Sequence, residues 1–157
     1  MTLRVWSQVD RQDKLGRTAL MDAAEIGSIG VITVLKENKA NLDEMDKEGH
    51  TAVSYALDFI CAEETKFFEA AHCLIQSGAN PDYAGKFSNR TLLHYVSNQG
   101  QLHFVKKLVE EYGANPMRED DVGRKPIDYA REQKHQEVAD YLQSLVPNQK
   151  TCQCHIM

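Results

Sequence analysis

The sequence carries no basic excess: 18 Lys and Arg stand against 23 Asp and Glu, for a formal charge of -5. Phosphate backbones are held by basic faces, so a nucleic-acid partner is not expected. No stretch approaches the roughly 18 consecutive apolar residues that a membrane-spanning helix needs. Met1 to Asp10 lacks an apolar core of signal-peptide length, so a chain without a secretory signal is expected, resident in the cytosol. Only four cysteines occur, Cys61, Cys73, Cys152 and Cys154. That is too few for a disulfide-stapled scaffold, and a reducing compartment is the natural reading. Asn89-Arg90-Thr91 fits the glycosylation acceptor pattern, but without a secretory signal the match is read as chance. No phosphate-binding loop, zinc-type cysteine spacing or Ser-His-Asp set stands out. The expectation is a protein that is not an enzyme, with no catalytic residue, no metal and no cofactor.

What is present is repetition. Asp13-Lys14-Leu15-Gly16-Arg17-Thr18-Ala19-Leu20 leads to Ala23-Ala24 and Gly27. Asp46-Lys47-Glu48-Gly49-His50-Thr51-Ala52-Val53 begins 33 residues later. Thr91-Leu92-Leu93-His94 followed by Gly100 is a third copy. Asp120-Asp121-Val122-Gly123-Arg124-Lys125-Pro126-Ile127 is a fourth, with Ala130 at the small position. The blocks close on Lys39-Ala40-Asn41, Gly78-Ala79-Asn80 and Gly113-Ala114-Asn115. In the Asp-x-x-Gly turn, glycine allows a positive φ, and the Thr after it can cap the helix that follows. Gly78 and Gly113 suit the left-handed residue after a helix. Val31, Val34 and Leu35, then Val105, Leu108 and Val109, then Val138, Tyr141 and Leu142 recur at helical spacing and are expected in the core. Ala23, Ala24, Ala56 and Ala130 are small enough to let helices approach closely.

Four copies in one register resemble the ankyrin repeat, a hairpin turn followed by two antiparallel helices. The resemblance runs from about Val9 to Leu145. It implies an all-α ankyrin-repeat solenoid of four helix-turn-helix repeats joined by hairpin-like turns. The repeats fall at about 13–45, 46–84, 85–119 and 120–146, preceded by a cap segment 1–12 and followed by a flexible tail 147–157. Trp6 and Val9 are expected over the open end of the first repeat. The second repeat is about six residues too long, so a longer first helix or a larger loop is expected around Phe59–Thr65. In the third repeat, Lys86-Phe87-Ser88-Asn89-Arg90 replaces the usual turn, with Asn89 taking the glycine's part. Pro147 ends the last helix. The resemblance also assigns His94 and His135 structural places in the scaffold.

Members of the family usually bind a protein partner with the hairpin tips and inner helices. At positions the scaffold leaves free, Leu15, Ile26, Phe59, Phe87 and Val122 are apolar, as an interface would be. Arg17, Arg90 and Arg124 recur at one repeat position, with His50 at the same place in the second repeat, and are candidate anchors. A rival places the contact on the enlarged second repeat.

The last four residues, Cys154-His155-Ile156-Met157, look like a CaaX box, with Met in the position that directs a farnesyl group. A prenyltransferase would then act on Cys154. One lipid chain binds a membrane only marginally, so Cys152 is the candidate for a second, palmitoyl chain. Two idle thiols, or a small metal site with His155, are the other readings of the tail. Repeats with such a tail resemble effectors that intracellular bacteria deliver into host cells. The reading is an adaptor that binds a protein and is held through lipid on a cytosol-facing membrane. Its rival is a soluble inhibitor or competitor with no anchor.

Overall fold

A computed structural model describes residues 8–58 and 65–146. Among them the helices run α1 Ala19–Ile26, α2 Ile29–Glu37, α3 Ala52–Asp58, α4 Thr65–Gln76, α5 Leu92–Asn98, α6 Leu102–Glu110, α7 Pro126–Glu132 and α8 Gln136–Ser144. No strand occurs among the described residues. Each odd-numbered helix pairs with the even-numbered one after it, and the pairs stack in two layers: α1 packs on α3 and α5 on α7, while α2 packs on α4 and α6 on α8. This is the expected all-α stack.

Each inner helix starts as the sequence dictates. Thr18 accepts from the Met21 N–H at 3.4 Å, and Thr51 from the Ser54 N–H at 3.5 Å. In the fourth repeat Lys125 replaces the Thr, and the bond reverses: the Asp128 carboxylate reaches back to the Lys125 N–H at 2.9 Å. Both arrangements satisfy one of the donors that the first turn of a helix leaves unpaired. Gly78 and Gly113 hold the positive φ foreseen for them (108° and 71°), and Asn89 takes φ 51° in place of glycine. Lys39 and Lys134 also take positive φ, 63° and 62°, where other repeats use glycine.

A ladder of carboxylates sets the register between repeats. Asp10, Asp43 and Asp82 each accept from the backbone N–H of the next repeat's closing asparagine: Asn41 at 2.8 Å, Asn80 at 3.1 Å and Asn115 at 2.8 Å. Each asparagine side chain in turn accepts from the N–H two residues on, at Asp43, Asp82 and Met117. The same Asn-x-Asp unit therefore closes its own turn and grips its neighbour. The apolar faces then fall opposite one another, and a continuous core forms that no single repeat could build. Ala24, Ala56, Ala70, Ala71 and Ala130 are completely buried in it.

Two expectations need correction. Val31 and Val34 are not core residues: they are 48% and 55% exposed, and Ile32 is the fully buried residue of α2. The matching residues of later repeats touch the repeat before them; Tyr141 bonds Glu110, and Phe104 packs edge-on against Phe68 at 5.3 Å. Val31 and Val34 lie on the first described repeat, so no described repeat covers that face. The extra length of the second repeat enters its second helix in part, since α4 has 12 residues against 9 in α2, α6 and α8. Phe59 to Glu64, Trp6 and the tail from Pro147 lie outside the described residues.

The left-handed positions give opposite expectations for opposite substitutions. Lys39→Gly relieves a conformation that costs an ordinary residue about 1 kcal/mol, and should raise the midpoint of urea unfolding. Gly100→Ala should lower it sharply, because a Cβ there would lie 2.4 Å from the His135 ring.

Candidate protein-binding face

The hairpin tips run along one side of the stack. Three of the four turns are built around an aspartate of their own. Asp13 Oδ1 accepts from the Leu15 and Arg17 N–H groups, Asp46 Oδ1 from Glu48 and His50, and Asp120 Oδ1 from Val122 and Arg124, all within 3.0 Å. The second oxygen of Asp46 accepts from the Tyr55 hydroxyl at 2.7 Å, and that of Asp120 from Tyr129 at 2.5 Å. Burial alone would push both carboxyls up. At Asp46 the His50 N–H, the Tyr55 hydroxyl and the Glu48 N–H outweigh it, and at Asp120 Tyr129 and the Arg124 and Val122 N–H groups do the same. Both carboxylates are held below the usual range. The tyrosines move the other way, with Tyr129 pushed up to about 12 by burial and by its bond to Asp120.

Arginines complete these units from the preceding repeat. Arg17 lies over the Tyr55 ring at 4.7 Å and pairs with Asp22 and Glu25. Arg90 lies over Tyr129 at 4.8 Å, and Arg124 covers the same ring at 4.4 Å. Arg17 over Tyr55 joins repeat one to two and Arg90 over Tyr129 joins three to four, while Arg124 lies over the ring of its own repeat. Backbone bonds join the same tips: Lys47 N–H to the Leu15 carbonyl at 3.1 Å, and Asp121 N–H to that of Ser88 at 3.4 Å.

His94 fastens the third repeat to the fourth. Its Nδ1 accepts from the Thr91 N–H at 3.1 Å, which leaves the proton on Nε2 to donate to the Arg124 carbonyl at 3.2 Å. His135 Nε2 reaches the Asn98 carbonyl at 3.1 Å in the same spirit. Both are scaffold histidines, as the resemblance implied.

Residues 58–152, more than half of the chain, match the family pattern described as ankyrin repeats (3 copies). The chain belongs to the ankyrin-repeat family. It is similar to Protein lin-12 of Caenorhabditis elegans, at 31% identity over 66% of this chain and 8% of that protein. It is similar to the human ARF GTPase-activating protein GIT2, at 31% identity over 62% of this chain and 13% of that one. It also resembles the bovine mitochondrial disaggregase, at 30% identity over 80% of this chain and 18% of the relative. The chain thus spans a small fraction of the length of these relatives. Ankyrin repeats are interaction modules, so a protein is the partner class, and no catalytic family is indicated.

On this ankyrin scaffold the sequence candidates divide into four groups. Leu15, Phe87 and Val122 stand on the first, third and fourth tips and are 64%, 76% and 65% exposed. Ile26 is equally open but sits at the far end of α1, about 10 Å along the helix from its tip. Arg17, Arg90, Arg124 and His50 are half-buried and already make contacts within the scaffold. Phe59 lies outside the described residues, as do Cys152 and Cys154. Asp46, Glu48 and His50 bring ligand-type atoms within 4.8 Å of one another. Asp46 uses both oxygens on the turn and Tyr55, while Glu48 pairs with Lys86 at 2.8 Å, so a cation would have to break the tip. Sequence reasoning missed Tyr55 and Tyr129, although they share one repeat position and were legible as such.

His94 gives a pH test. Burial chiefly holds its pKa below the ordinary 6.5, so the folded state keeps the neutral ring. Above pH 6.5 neither folded nor unfolded chain is charged there, and the group costs nothing. As pH falls through 6.5 the unfolded chain takes up the proton first, and stability is lost. Between pH 7.5 and 5.5 the Tm of the parent should fall more than that of His94→Gln, which starts lower but carries no such proton. Equal slopes would count against the assignment.

Proposed function

We propose that this chain is a non-enzymatic adaptor that docks a protein partner on its row of hairpin tips. One observation carries the reading: Leu15, Phe87 and Val122 are large, apolar and mostly exposed on an ankyrin face where Asp46 and Asp120 are already taken by the turn and by Tyr55 and Tyr129. Such residues bury little surface in the isolated chain. They gain by leaving water against a partner, about 1.5–3 kcal/mol for each side chain fully covered. The half-buried arginines between them stiffen the row and present their outer edges as a polar rim.

Where Met157 is the free carboxyl terminus, Cys154 is the acceptor for a farnesyl group and Cys152 for a second chain. The sequence Cys154-His155-Ile156-Met157 supports this. The adaptor would then hold its partner on a cytosol-facing membrane. A protein of bacterial origin acting in a host cell would gain its anchor from the host's prenyltransferase in the same way.

The tips are tested by affinity capture from a eukaryotic lysate with the parent and with Leu15→Asp, Phe87→Asp and Val122→Asp. Partners specific to the parent should be lost, with at least a tenfold fall in affinity for Phe87→Asp and an unchanged Tm. A partner held equally by all four proteins would move the site elsewhere, first to the enlarged second repeat. The anchor is tested by fractionating cells that express the parent or Cys154→Ser. The variant should move from membrane to cytosol; identical distributions would leave the soluble inhibitor reading.

A further inference from the structure

The third hairpin departs from its neighbours in three linked ways. Gly85 stands where the other turns have aspartate. The turn is one residue longer, closing from Gly85 N–H to the Arg90 carbonyl at 2.8 Å, where the others close from Asp13 to Arg17, Asp46 to His50 and Asp120 to Arg124. Among the described residues no backbone bond joins this tip to the one before it, unlike the first-to-second and third-to-fourth junctions. A tip built like the others would have lost its central carboxylate.

That carboxylate comes from the preceding repeat. Asp58, the last residue of α3, accepts from the Phe87 N–H at 3.2 Å through Oδ1, and the Lys86 N–H is also directed at it. The absence of a side chain at Gly85 follows from this. Gly85 is not among the residues of positive φ, so its backbone does not call for glycine. Space does: a Cβ there would lie 2.9 Å from Asp58 Oδ1. Tyr95 stands where Tyr55 and Tyr129 bond their turn aspartates, and it bonds Ser88 instead. We propose that Asp58 is the positioning residue of the third tip: it replaces the missing turn aspartate from the neighbouring repeat and so sets where Phe87 stands on the binding face.

The arrangement couples the tip to the junction between the second and third repeats. In the other turns, aspartate and tip belong to one repeat and move together. Here the tip amides are fixed to α3, so any shift between the two repeats moves Phe87 relative to its own helix α5. Lys86 adds to the same link by pairing with Glu48 at 2.8 Å. This role rests on the proposal that the tips bind the partner, but its first test does not need one.

The test is amide hydrogen exchange on the full chain, with Asp58→Ala, Asp58→Asn, Gly85→Asp and Asp58→Ala/Gly85→Asp. Asp58→Ala should speed exchange at Phe87 about tenfold or more while the amides of Leu15, Arg17, Val122 and Arg124 keep their parent rates. Asp58→Asn retains an acceptor oxygen and should keep most of the protection. Gly85→Asp should lower the Tm of the parent and cost much less in the Asp58→Ala background, where the new carboxylate can cap the turn from within. Unchanged exchange at Phe87 in Asp58→Ala would overturn the proposal. So would an equal cost of Gly85→Asp in both backgrounds, or a loss of protection spread evenly over all four tips. If exchange behaves as expected but Phe87→Asp leaves partner capture intact, the positioning role stands and the binding role of the tip falls.

Discussion

A carboxylate placed at the foot of each hairpin is the interaction on which the rest depends. A turn exposes several N–H groups to one side, and an aspartate at its first position satisfies two of them with a single oxygen. Its other oxygen is then free to take a tyrosine hydroxyl from the helix that follows, as Asp46 and Asp120 do. The tyrosine ring, held in place, becomes a flat surface on which the preceding repeat's arginine can lie. Turn, helix and neighbouring repeat are thus fixed by one ionised group. Breaking it would leave a buried tyrosine hydroxyl and two amides without partners, and each such loss costs about 1–3 kcal/mol.

Much of this was legible in the sequence because repetition makes weak local signals strong. One Asp-x-x-Gly could be any turn. Three in register, with a fourth block that keeps the Thr and the helices, and with closing asparagines, specify the stack, and the positions of Gly78, Gly113, Asn89 and His94 follow from the same register. What was missed is long-range. The Asp10, Asp43 and Asp82 ladder bonds across 31 to 37 residues, so nothing near each aspartate in the sequence shows that its acceptor is taken. Val31 and Val34 show the reverse failure. Their spacing is that of a buried face, but periodicity reports which side of a helix is apolar, not whether a neighbour covers it. The arginines are ambiguous for a related reason: a recurrent arginine at a tip can serve the partner or the fold, and the tyrosine beneath it reveals only the second use.

The junctions of the stack are unequal, and this bears on function. Repeats one and two share a backbone bond between tips and an Arg17–Tyr55 contact; three and four share a backbone bond, Arg90–Tyr129 and the His94 bond to Arg124. Between two and three, among the described residues, the tips are joined through side chains, Asp58 to the Phe87 amide and Lys86 to Glu48. That junction carries the most exposed aromatic residue of the described chain, Phe87.

The same reasoning says which groups should carry binding energy. An arginine already lying on tyrosine and paired to carboxylate can reach for a partner only by giving up contacts of similar strength, so its net gain is small. An exposed leucine, valine or phenylalanine gives up only water. On the proposal that the tips bind the partner, their affinity would come from Leu15, Phe87 and Val122, with the charged side chains between them setting orientation and partner choice, as rim charges do elsewhere.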